Sequence, residues 1–167
     1  MKIQRFEDIE AWKKGQEVAI LAYKKFYHLS DYGFKNQILK AVVSISNNIA
    51  EGFARNSDAD FIRFLHISMG SCYEVKSMLY LAVKLGYVSV KDCNNLTHQL
   101  DEINRIIWGL IKAIKKKSNC YILRRKIERQ RETRESEKSE ESVKSVESVK
   151  SVKSVKSVKS VKSDRLS

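Results

Sequence analysis

Few residues in the chain have types and spacing suited to chemistry. Asn48, Glu51, Gly52 and Arg55 stand together in NNIAEGFAR, and Gly70, Ser71 and Glu74 form a second short group. A carboxylate beside amides and a guanidinium can bind a polar ligand or hold a proton. The same set also has a structural use. Glu51 and Arg55 are four residues apart, the spacing of an ion pair on one helix face, and Gly52 permits a close approach of two backbones. We read Asn48, Glu51, Gly52, Arg55, Gly70, Ser71 and Glu74 as one packing and capping network.

The other candidate ligands and nucleophiles do not assemble. His28, His66 and His98 fall in different periodic segments, and His98 shares a helix face only with Glu102. No HExxH, Glu-x-x-His or CxxC spacing occurs, so zinc and di-iron patterns are missing from the sequence. No catalytic residue, metal, cofactor or small-molecule substrate is expected, and the chain does not read as an enzyme.

Charge points elsewhere. The net charge is +12 with no proline and six glycines. Residues 1–117 hold 18 Lys and Arg against 12 Asp and Glu, and residues 118–167 hold 14 against 8, so both parts carry +6. Such an excess favours polyanionic partners. Lys13, Lys14, Lys24 and Lys25, with Arg105, Lys112, Lys115 and Lys116, are the candidate nucleic-acid-binding residues, as cations that neutralise phosphates without reading bases. In a monomer they are ordinary solvated side chains; in an oligomer each patch is multiplied.

These residues require helices to hold them. Asn36 to Arg55 is the densest apolar and small-residue segment, with Phe34, Ile38, Ala41, Val42, Ile45, Ile49 and Phe53 on one face. A second seam, Leu39, Val43, Ser46, Ala50 and Ala54, lies ready for a neighbouring helix or subunit. An earlier helix is predicted from Phe6 to about Tyr27, with Phe6, Ile9, Trp12, Ala19, Tyr23 and Phe26 or Tyr27 inward. A later one opens on a Ser57/Asp60 cap and stops at Gly86. Its Gly70 weakens the helix and calls for a compensating close contact with the Asn36–Arg55 helix. The last helix opens on Ser89/Asp92 and carries Leu96, Leu100, Ile103, Ile107, Leu110 and Ile114. Short polar turns between four amphipathic helices predict an all-α, up-down-up-down antiparallel four-helix bundle over 1–117.

From 118 to 141 the composition suits a charged helical extension or linker. From 142 to 167 Ser-Val-Lys recurs seven times, with Glu147 in place of one lysine. A period of three gives valine no fixed helical or strand face, so this basic low-complexity tail is expected to be disordered. Three unpaired cysteines and the lack of a signal-peptide core or spanning segment predict a cytoplasmic protein with no membrane partner.

Phe6, Trp12, Gln37-Ile38, Ala41, Ser44-Ile45, Asn48-Ile49-Ala50-Glu51-Gly52, Arg55, Phe61, Phe64-Leu65, Gly70-Ser71, Glu74 and Leu85-Gly86-Tyr87 together form a pattern. It resembles the bacterial four-helix-bundle family encoded in 23S rRNA intervening sequences, a fold family that includes the accessory variability protein of diversity-generating retroelements. The resemblance covers about residues 5–117. It implies a homopentamer with a basic surface for nucleic acid, RNA favoured over DNA, and no known catalysis. Residues from Ser118 onward match nothing in it. The alternative is a structural or protein-interaction bundle that binds no nucleic acid.

Overall fold

The computed structural model describes residues 3–55 and 57–163, with side chains as far as 135 and at Lys138. Four helices make up the fold: α1 (Glu10–Phe26), α2 (Tyr32–Phe53), α3 (Asp58–Lys84) and α4 (Val90–Ser163). Among the described residues there is no strand. Residues 1–118 form one compact unit and residues 119–167 a second. The first is the expected four-helix bundle.

The helix ends follow local chemistry. Ser57 and Ser89 each accept a backbone N–H three residues on, from Asp60 and Asp92, at 3.1 Å. Each serine hydroxyl also donates to that aspartate's carboxylate. Asp31 caps α2 by accepting from the Phe34 N–H at 3.0 Å. At the end of α3 the Tyr87 N–H reaches the Ala82 carbonyl and the Gly86 N–H reaches Val83, with Gly86 at φ +73°. This is the Schellman stop, which needs a residue without a Cβ in the left-handed region.

Two departures from expectation concern α1. Phe6–Asp8 is a 3-10 turn, and the extended Ile9 separates it from the α-helix. The inward face also differs in part. Ile9, Ala19 and Phe26 are buried as expected and Phe6 and Trp12 pack against the core, but Ala11, Gly15, Val18 and Ala22 are buried as well, whereas Tyr23 and Tyr27 are exposed. Small residues let α1 sit close to α2, and a phenol keeps its hydroxyl in water.

α2 is covered on three sides. Its first stripe, Phe34, Ile38, Ala41, Val42, Ile45 and Ile49, is buried, with Phe53 half-buried. The second seam meets α1 at Ser46, where Gln16 donates to the buried hydroxyl at 2.8 Å and a Cβ on Gly15 would lie 3.3 Å from that of Ser46, while Ala54 at the seam's end is exposed. On the α3 side, Ser68 donates to the Ile45 carbonyl at 2.8 Å. α4 closes the bundle through Cys93, Leu96, Leu100, Ile103, Ile107 and Ile111, all buried. Lys14–Glu102 (3.1 Å) and Lys25–Asp92 (2.8 Å) tie it to α1, and Lys76–Asp101 (2.7 Å) ties it to α3.

The second unit is helical. Tyr121, Ile122, Leu123 and Ile127 are exposed, and Arg125 donates to the Tyr121 hydroxyl. Where the sequence predicts disorder beyond 142, the helix runs through the Ser-Val-Lys repeats to Ser163; the repeats' side chains lie outside the described residues. No glycine or proline follows Gly109, so nothing there breaks a helix. Among the described residues no helix is long and apolar enough to cross a membrane.

Candidate nucleic-acid interface

The first cluster singled out by sequence resolves into packing. A Cβ on Gly52 would lie 2.5 Å from that of Phe64 and 3.1 Å from the Phe61 ring, so α2 and α3 meet there only because position 52 lacks a side chain. Arg55 donates to Glu51 at 2.6 Å and lays its guanidinium 5.1 Å from the centre of the Phe64 ring. Asn48 donates to the Ser44 carbonyl, and the Ser44 hydroxyl donates to Ser71 at 2.6 Å. Two members fall outside. Glu74 is exposed with no hydrogen bond or ion pair among the described residues. A Cβ on Gly70 would meet nothing within 4 Å, so the expected compensating contact with α2 is not made within the chain. Gly70 faces outward because Ser71, one residue on, takes the place against α2.

The candidate cations divide. Lys13 lies 3.8 Å from Glu10, Lys14 pairs with Glu102, and Lys25 pairs with Asp92. Their charge is locally compensated. Lys24, Arg105, Lys112, Lys115 and Lys116 are exposed and form no ion pair among the described residues. These five do not make one patch. The Lys25–Asp92 bridge places Lys24 by the start of α4, whereas Lys112 is 20 residues further along it, about 30 Å at 1.5 Å per residue. Arg105, Lys112 and Lys116, spaced seven and four apart, share one solvent-facing line of α4 with Lys115 beside it.

A third site escaped the sequence reading. A groove of about 480 Å³ between the end of α1 and the start of α2 is lined by Tyr23, Tyr27, Tyr32, Lys35, Asn36, Leu39 and Lys40. The tyrosines are 42%, 61% and 69% exposed in that order. Lys35 donates to the Tyr27 carbonyl at 3.2 Å and sits 4.3 Å from the centre of the Tyr32 ring and 6.0 Å from that of Tyr27. The signal is present in sequence as three tyrosines and three lysines within YKKFYHLSDYGFK, obscured because helical spacing puts Tyr23, and Tyr27 as the alternative to Phe26, on the inward face.

The model of the 23S rRNA-intervening sequence protein family matches residues 7–109. The chain belongs to that family. A crystal structure of a protein of unknown function from the S23 ribosomal protein family of Bacteroides thetaiotaomicron is similar, with 27% identity and a TM-score of 0.57. That similarity covers 61% of this chain and 98% of that one. No curated protein matches. The intervening-sequence family match includes the tyrosine groove and the NIAEG cluster, and it ends before Lys112, Lys115 and Lys116. Lys112, Lys115 and Lys116, exposed and without an ion pair among the described residues, therefore lie beyond the family's matched segment.

Proposed function

We propose that this member of the intervening-sequence family is a non-enzymatic accessory protein, cytoplasmic and homo-oligomeric, that binds structured RNA in preference to DNA through basic surface patches. It needs no cofactor, small-molecule substrate or membrane. The observation that carries the reading is the line of Arg105, Lys112 and Lys116, with Lys115, exposed and without a carboxylate partner among the described residues. Unpaired cations on a rigid helix neutralise phosphates and release counterions. Assembly, a pentamer by family resemblance, would repeat the line around the oligomer.

The assembly reading has support on α3. Leu81 and Leu85 are exposed one turn apart at the end of α3, and Ile67 is exposed on the same face about 21 Å before them, with Gly70 leaving room for a close approach and Glu74 between. Exposed aliphatic residues on one face are characteristic of a surface that another chain covers. The same stripe favours a second reading, a protein-interaction bundle without nucleic-acid binding.

Titration of a structured large-subunit rRNA fragment at several salt concentrations tests the proposal. Binding is expected to weaken steeply with salt and to survive removal of residues 119–167. Replacing Lys112, Lys115 and Lys116 by alanine should reduce the log–log salt slope by about 2–3. Absence of binding at low salt would sink the reading. Capture of a protein partner from nuclease-treated lysate, with no RNA affinity, would establish the second one.

A further inference from the structure

The groove between α1 and α2 gathers three exposed tyrosines, Tyr23, Tyr27 and Tyr32, around two lysines. Elsewhere on the bundle Tyr73, Tyr80 and Trp108 are exposed, and Ile67, Leu81 and Leu85 are the exposed aliphatics on α3 and just past its end. In the groove the exposed rings of Tyr27 and Tyr32 are interleaved with the half-buried Lys35 and the exposed Lys40, and no carboxylate is among its lining residues. The nearest acid in sequence, Asp31, is engaged elsewhere: it caps the Phe34 N–H and accepts from the Tyr87 hydroxyl at 3.1 Å.

We infer that this groove binds unpaired nucleotides of RNA, stacking bases on Tyr27 and Tyr32 while Lys35 and Lys40 hold the flanking phosphates. The inference rests on the nucleic-acid reading above and narrows its ligand from structured RNA in general to bases exposed in loops, bulges or single strands. Rings that are aromatic and neighbours that are cationic call for a ligand that is aromatic and anionic. A nucleotide is both. Base stacking on an aromatic side chain tolerates any sequence, because every base offers a π-face. In an A-form duplex those faces are stacked against one another, and only unpaired bases can splay onto a protein ring.

The site is partly organised in advance. Lys35 is held by the Tyr27 carbonyl, with its ammonium 4.3 Å from the centre of the Tyr32 ring and 6.0 Å from that of Tyr27, so the cation already stands beside both rings. Tyr32 is 69% exposed, so ring surface beside that cation is accessible to a base. Tyrosine has only two side-chain torsions to restrict, which keeps the ordering cost of binding small. Asn36 adds an amide with both donor and acceptor at the groove wall, suited to the edge of a stacked base.

The test compares a fluorescein-labelled oligouridine strand of about 20 nucleotides with an RNA duplex of the same length, by anisotropy on the full chain. The Tyr27→Ala/Tyr32→Ala variant should bind the single strand at least about tenfold more weakly, with duplex binding within about twofold of the parent. Tyr27→Phe/Tyr32→Phe keeps the rings and should restore single-strand affinity to within about twofold. Both tyrosines are exposed, and an unchanged melting curve will show that the alanine variant folds. Unchanged single-strand affinity in the alanine variant overturns the inference, as does equal weakening on strand and duplex; either leaves salt-dependent rRNA binding standing. A changed oligomer mass in light scattering with RNA affinity intact would assign the groove to a second copy of the chain and also overturn it. If the parent binds neither RNA, the proposed function falls first and this inference falls with it.

Discussion

Cys72, Cys93 and Cys120 show how environment separates three identical side chains. Cys72 is fully buried, and the loss of water around it, helped by the Asp101 carboxylate, pushes its thiol up to about 12. Burial also raises Cys93, while Cys120 is exposed on the second unit. Because the thiolate is the reactive form, Ellman's reagent at mildly alkaline pH should label one thiol per chain quickly and the other two only after denaturation. Mass mapping of the fast product to Cys120 checks the assignment; prompt labelling of Cys72 would mean that the core opens readily. The role of NIAEG was legible from spacing at this scale, since Glu51 and Arg55 form the expected pair. Glu74 was misplaced because a shared motif says nothing of which way a helical side chain points.

Between elements, the spacing of α2 and α3 is set at Gly52 and left free at Gly70. Substituting Gly52→Ala forces a Cβ into the Phe64 Cβ, a part of the side chain that cannot swing away. The overpacking should cost about 1–3 kcal/mol in a denaturant melt. Gly70→Ala meets nothing in the chain and relieves a mid-helix glycine, so it should add about 0.5–1 kcal/mol. The opposed signs distinguish a required glycine from a tolerated one. If Gly70→Ala also lowers the mass of the proposed oligomer in light scattering, the open position is used between copies. The caps at Ser57 and Ser89 and the glycine stop at Gly86 were readable in sequence because each depends on residues within a few positions. The phase of α1 was not, since whether Tyr23 or Ala22 faces inward depends on how near α2 comes.

At the scale of the whole molecule the open question is what covers the α3 stripe. Multi-angle light scattering at micromolar concentration should give several copies of the 19.3 kDa chain, roughly 97 kDa for five. A single-copy mass would leave Ile67, Leu81 and Leu85 to another protein. The four helices, the Ser57 and Ser89 caps, the Gly86 stop and the bundle class were legible in the chain, because apolar periodicity and capping act over one or two turns; the Asp31 cap of α2 and the 3-10 turn before α1 were not. Only the tertiary structure decided which cations are free. Lys14 and Lys25 lose theirs to Glu102 and Asp92, and those partners lie on a helix more than 60 residues away in the chain. It likewise decided that Ser46 of the α2 seam meets α1, and that Tyr23, Tyr27 and Tyr32 meet at one groove. Periodicity says which residues share a face; only packing says what stands opposite that face, and charge and exposure follow from what stands there.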